Sequence, residues 1–208
     1  MKVRVASCGE ILHMEFHYAP GATPIDPDEA AGLVPTHITT QSDLNAWEQV
    51  NIAQGARWAA RQKKRDLLEE GFIRELHRKM FDKTWAWAGR FRHSNKNIGV
   101  DWTQVAVRLR NLLDNSKYQI ENHVYDTDEM AVRFHHQLVW IHAFPNGNGR
   151  HARLMADLLV MRLGRPRLTW GEGEATITTM GVLRDQYLTA LRAADHGQFN
   201  DLITFARS

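Results

Sequence analysis

The chain has 208 residues, and 26 Lys plus Arg against 24 Asp plus Glu leave a formal charge of only +2. That length suits one core, and 24% charged with 43% hydrophobic residues excludes a disordered chain and argues against a basic protein that coats nucleic acid. The lone cysteine, Cys8, excludes an intrachain disulfide and an all-cysteine zinc site. It suits a reducing compartment, so a cytoplasmic location is expected. No apolar run approaches the roughly 18 residues of a membrane span, and Glu10, His13 and Glu15 interrupt the start where an export signal would be continuously apolar.

In chain order, residues 1–42 hold Pro20, Pro24, Pro27 and Pro35 with Gly9, Gly21 and Gly32, which predicts an extended arm wrapped on a core. Residues 43–208 are expected to form the main domain. Leu44, Trp47, Ile52, Ala56 and Ala59 recur at helical spacing from Asp43 to about Gln62, with Ser42 or Asp43 as N-cap. A second helix is predicted over Glu70 to Phe81 on Phe72, Ile73, Leu76, Met80 and Phe81. Between Trp85 and Trp102 the aromatic, cationic and glycine-punctuated sequence suits a short hairpin or projecting loop. Further helices fit Thr103 to about Asn122, Asp128 to Ile141 with Thr127 or Asp128 capping, and Arg150 to Leu163, stopped by Gly164 and Pro166. Two closing helices fit about Thr179 to Ala194 and Phe199 to Arg207. The fold class is therefore mainly α, with at most one small hairpin and no internal repeat.

The informative segment runs from His142 to Arg153, between two predicted helices. Gly147, Asn148 and Gly149 can turn successive N–H groups towards one point, and the helix that follows adds unpaired N–H groups and partial positive charge. Such a loop is an anion cradle. Arg150 and Arg153, three residues apart on that helix, can grip phosphate oxygens from the same side. His142, with an ordinary pKa of about 6.5, suits a base acting at neutral pH. The plainer alternative is a turn joining two helices, with Arg150 paired to Asp157 on the surface.

His142-Ala-Phe-Pro-Asn-Gly-Asn-Gly-Arg-His-Ala-Arg153 resembles the signature of the Fic family, His-Pro-Phe-x-Asp/Glu-Gly-Asn-Gly-Arg-x-x-Arg. Glu75 to Phe81, Trp87-Ala-Gly-Arg-Phe-Arg92 and Tyr187 to Phe205 are similar to the helices and the flap approach of Fic domains. The phrase Gly21 to Glu29 resembles the mobile mystery protein B subgroup, whose genes tend to lie beside a small helix-turn-helix protein. The resemblance implies a Fic-type helical bundle with one small β-hairpin flap. It also implies a protein adenylyltransferase that moves AMP from ATP, with Mg2+, to a Ser, Thr or Tyr hydroxyl of a target protein. A toxin-like activity under inhibition, with a helix-turn-helix or antitoxin-like partner, belongs to the same expectation; membrane and nucleic-acid partners do not.

By this resemblance His142 is the general base. Gly147, Asn148 and Gly149 hold the α- and β-phosphates, Arg150 the β/γ end and Arg153 the γ-phosphate, while Phe144 anchors the loop in the core. Lys96, Asn97 and Ile98 fall where the flap aligns the target by strand addition. Two departures stand out: Ala143 replaces a proline, and Asn146 replaces the acidic residue that holds magnesium, a poorer ligand for a hard dication. Glu48 is the nearest candidate for the family's inhibitory glutamate, which pairs with the second motif arginine, here Arg153; Leu44 stands where a hydroxyl residue belongs. Two alternatives stay open: a Doc-type phosphotransferase, whose Ala-Asn-Lys-Arg pattern the loop does not match, and a nucleotide-binding interaction module weakened by Asn146. His135, His136, His142 and His151 are not read as a metal cluster, since no zinc-binding framework accompanies them, and the adjacent His135 and His136 are read as packing or surface residues.

Overall fold

The computed structural model describes residues 2–7, 10–15, 26–171 and 180–208. Two strands in the N-terminal stretch, β1 (Lys2–Ser7) and β2 (Glu10–Glu15), pair antiparallel with Lys2 opposite Glu15. A one-turn helix, α1 (Pro27–Ala30), follows, with Pro27 in its first turn and Ala30 fully buried. The sequence reading did not foresee it.

α2 (Gln41–Ala60) begins two residues before Asp43, because Thr40 is extended and its Oγ1 accepts the Asp43 N–H at 3.1 Å. Thr40, rather than Ser42 or Asp43, is the N-cap. Its buried stripe is Leu44, Glu48, Asn51, Gly55 and Ala59, whereas Trp47, expected on this face, is 37% exposed. Polar residues can occupy the stripe because they find partners: Asn51 Nδ2 donates to the Lys79 carbonyl at 3.2 Å and its Oδ1 accepts the Lys83 N–H at 2.9 Å. Both partners flank the end of α3 (Glu70–Phe81), which has its expected bounds. The two helices touch at Gly55, where a Cβ would lie 2.7 Å from Met80 Cγ and 2.9 Å from Met80 Cα. No side chain fits there.

A 3₁₀ turn (Trp102–Gln104), begun by Asp101 accepting the Thr103 N–H, leads into α4 (Val105–Glu121). α5 (Thr127–Ile141) starts after Asp126 without a side-chain cap. Asp128, an expected cap, is engaged elsewhere: its carboxylate accepts from Arg207 Nε at 2.9 Å. α6 (Asn148–Arg162), α7 (Met180–Asp195) and α8 (Asn200–Arg207) complete the chain. The central core gathers Phe72, Leu76, Met80 and Phe81 of α3 with Phe134 and Leu138 of α5 and Met155 of α6. A second cluster sets Val132 of α5 and Ala156 and Val160 of α6 against Leu202 and Ala206 of α8. Helices α5 and α6 are thus held on two sides, which fixes the loop between them.

Residues 86–101 form turns and bends with no strand, and Trp85 makes an isolated bridge to Leu33. The hairpin flap expected here is not seen as a ladder. Arg92 is the physical reason: its buried guanidinium binds the main-chain carbonyls of Ser94 and Val100, acceptors that strand pairing would otherwise use.

Candidate active site

His142 is the C-cap of α5 in left-handed backbone, φ +54°. Its carbonyl accepts from Arg92 Nε at 2.6 Å, and the Ala143 carbonyl accepts the Arg92 N–H at 3.0 Å, so one buried arginine fixes the start of the loop. Two residues on, Phe144 is buried and stacks on His77 of α3 at 3.8 Å. Asn148 closes the turn by accepting the Phe144 N–H at 2.9 Å and donating to the Phe144 carbonyl at 2.8 Å. His77 braces it from below, with Nδ1 accepting the Gly89 N–H and Nε2 donating to the Asn146 carbonyl, both at 3.0 Å. These partners leave the proton on Nε2.

Gly147 caps α6 with φ +78°, and a Cβ there would lie 2.6 Å from Phe81 Cζ, so only glycine serves. Asn148 and Gly149, which the sequence allowed positive φ, are helical instead, because α6 starts one residue after Gly147. The first helical bond runs from the His151 N–H to the Gly147 carbonyl at 2.9 Å. The N–H groups of Asn148, Gly149 and Arg150 precede it, as an anion-binding helix start requires. Above Gly149 the space is open.

His142 is only 4% exposed. A Cβ on Gly99 would stand 2.5 Å from His142 Cβ, so the irregular segment 86–101 lies directly on it. Burial, then the nearby Arg92 cation, push the imidazole down to about 4, against a main-chain hydrogen bond at Val139. At neutral pH it is uncharged. Arg150 NH1 meets Glu48 Oε2 at 2.6 Å, and Glu48 Oε1 accepts from the buried Trp85 Nε1 at 2.7 Å. The expected partner of Glu48 was Arg153; the structure pairs it with Arg150. Arg153 sets its guanidinium 5.5 Å from the Tyr187 ring. Asp157, the partner in the plainer reading of Arg150, is buried and accepts from Trp170 Nε1 at 2.8 Å.

Asn146 Oδ1 accepts the N–H of Gly147 at 2.6 Å, so the amide oxygen braces its own loop. Among the described residues no three His, Cys, Asp or Glu side chains converge on a metal site. This donor set does not fit a protein-held magnesium ion. His135 and His136 find protein partners, Tyr187 Oη at 2.9 Å and Asp195 Oδ1 at 2.8 Å.

On the flap, Asn97 and Ile98 are exposed, but Lys96 is turned inward with 2% of its side chain exposed. Sequence reasoning missed His77, Arg92, Asp26 and Glu29. Arg92, Asp26 and Glu29 lie in phrases that carried the resemblance but no role, whereas His77 had a local signal: it sits on the apolar face of α3, between Ile73 and Met80.

Residues 67–160 match the model of the Fic/DOC family. That segment matches a Fic/DOC family domain. Protein adenylyltransferase Fic of Nematostella vectensis is 35% identical over 77 residues, covering 37% of this chain and 16% of that protein. Fic-1 of C. elegans, residues 134–508, is 25% identical with a TM-score of 0.58 over 77% of this chain and 48% of that one. The N-terminal Fic domain of a cell filamentation protein from Bartonella quintana, solved with bound ADP, gives a TM-score of 0.63 over 83% of this chain and 86% of that one. At 16% identity that likeness shows the Fic fold alone. The chain spans less than two thirds of the length of the curated relatives it matches, from 16% to 26%. No helix among its described residues is long and apolar enough to cross a membrane.

Proposed function

We propose that this Fic domain transfers AMP from ATP to a hydroxyl side chain of a target protein. One observation carries the reading: a neutral histidine, a helix start and that helix's two arginines meet at one loop whose shape His77, Arg92 and Asn148 fix from three sides. In the proposed reaction the target oxygen bonds to the α-phosphorus, the bond to the bridging oxygen breaks, pyrophosphate leaves and the hydroxyl proton passes to His142. The N–H groups of Asn148 and Gly149, with Arg150 and Arg153, offset the phosphate charge. ATP labelled separately at the α and γ positions tests this: label moves to protein from the α position only. Transfer from γ would support a Doc-type phosphotransferase, and binding without transfer an interaction module.

Glu48 is proposed to restrain the site by occupying Arg150. Glu48→Gly is then expected to raise self-labelling by roughly tenfold, since a charge-assisted bond of about 1.5 kcal/mol no longer competes with the nucleotide. Unchanged labelling would leave restraint to a separate partner, such as a small antitoxin-like protein.

Asn146 supplies no carboxylate, so magnesium is proposed to arrive held by ATP's phosphates and water. Asn146→Asp is expected to lower the magnesium concentration for half-maximal transfer and to help most when magnesium is scarce. A slower enzyme at every magnesium concentration would mean that the site needs a neutral side chain at 146, since aspartate keeps an oxygen for the Gly147 N–H.

A further inference from the structure

We propose that Lys96, Asp26 and Glu29 form a latch that holds the flap over His142, which makes all three positioning residues for the proton acceptor. Lys96 Nζ lies 2.6 Å from Asp26 Oδ2 and 2.6 Å from Glu29 Oε2, and the side chains of Lys96 and Glu29 are 2% and 6% exposed. An ammonium withdrawn this far from water is stable only while paired. Both carboxylates come from α1 and the residue before it, far upstream of the flap in sequence.

The grip has three points. The Glu29 carbonyl accepts from Trp87 Nε1 at 2.9 Å, Asp26 Oδ2 accepts from Ser94 Oγ at 3.1 Å, and Lys96 closes the set. Three residues beyond Lys96, Gly99 rests on His142, and Arg92 ties the Ser94 and Val100 carbonyls to that of His142. The contacts therefore run in series from α1 through Lys96 and Gly99 to His142. With Lys96 used inside, target docking falls to the outward Asn97 and to Ile98, which is 44% exposed. Removing the carboxylates would leave a buried cation without partners; its route to water carries the flap off His142.

That His142 is the reaction's base rests on the proposed function, but the latch does not, and its test reads the chemistry of His142 without transfer. Diethylpyrocarbonate acylates accessible neutral imidazoles, and mass spectrometry of the intact chain's digest gives a rate for each histidine at pH 7. Exposed His123 and His196 are internal references, and buried His77 and His151 report the core. Asp26→Asn with Glu29→Gln is expected to raise the His142 rate by about tenfold, the equivalent of one charge-assisted hydrogen bond, with His77 and His151 still protected. In a Lys96→Met background, with no cation to pair, the same two changes should add nothing further.

An unchanged His142 rate in the carboxylate variant, or additive effects in the cycle, would overturn the latch. Asp26→Asn alone removes a carboxylate that is 45% exposed and keeps Glu29, so it covers the case in which the double change unfolds the chain. It should move His142 in the same direction by a smaller factor. If His142 and His77 rise together even there, the residues serve only global stability and the proposal fails.

Discussion

Acidification from pH 7.5 to 5 is expected to remove most of the protein's stability before its carboxylates titrate. His77, His135, His142 and His151 are all buried, and burial is the largest cause of each depressed pKa: about 3 for His135, about 4 for His142 and His151, and well below the usual value for His77. His77 shows why in atoms, since a second ring proton would face the Gly89 N–H that Nδ1 accepts. In the unfolded chain each histidine titrates near 6.5. Below that pH the unfolded state binds more protons than the folded one, so the stabilisation is complete above about pH 7 and drains as pH falls towards 4. Each site costs about 1.4 kcal/mol per pH unit inside that window. Four sites acting together then compare with a whole-domain stability of roughly 5–15 kcal/mol. Asp26, Glu75 and Asp128, held below the usual carboxylate range mainly by Lys96, Arg65 and Arg207, act at lower pH. Urea midpoints read by tryptophan fluorescence at pH 7.5, 6 and 5 should fall steeply. Equal midpoints at 7.5 and 5 would mean that these imidazoles are hydrated or paired in the folded protein.

Local pattern made the helices and the loop legible. Five apolar residues at one spacing give α3 its bounds, and the glycines with two arginines mark the His142–Arg153 loop without any tertiary knowledge. Reading α2 by apolar residues alone chose Trp47 over Glu48, because a buried carboxylate is intelligible only once Trp85 and Arg150 are known to meet it. The flap shows the same limit more strongly. Arg92 and Lys96 look like solvated cations in a polar stretch, yet their partners lie 50 residues downstream and 70 upstream. Turn composition found the irregular stretch at residues 86–101, and long-range pairing decided which of its side chains face in.

His142→Ala is expected to lower AMP transfer by roughly 10²–10⁴-fold, the usual contribution of a general base, while ATP affinity stays within about twofold. The two effects separate because the nucleotide frame does not depend on the imidazole. Arg92 holds the His142 carbonyl, Asn148 holds Phe144, and Gly147 starts α6, all through main-chain groups that alanine retains. His142 already holds the left-handed backbone that costs an L-residue about 1–2 kcal/mol, so alanine adds little to it. With the flap down, an imidazole at about 4 is a weak base, and the causes are burial, Arg92 and Lys96. Lifting the flap for a target hydroxyl relieves the burial and withdraws Lys96, and both changes move the imidazole back towards 6.5, where a base works well at neutral pH. Above about pH 6, where the domain is still folded, the wild-type rate should therefore climb to a plateau near pH 7.5, and the residual rate of the variant should be flat across the same range. Full transfer by the alanine variant would hand the proton to another group. Loss of ATP binding alongside transfer would place His142 in the nucleotide frame instead, and the assignment of acid–base work to this loop would have to be abandoned.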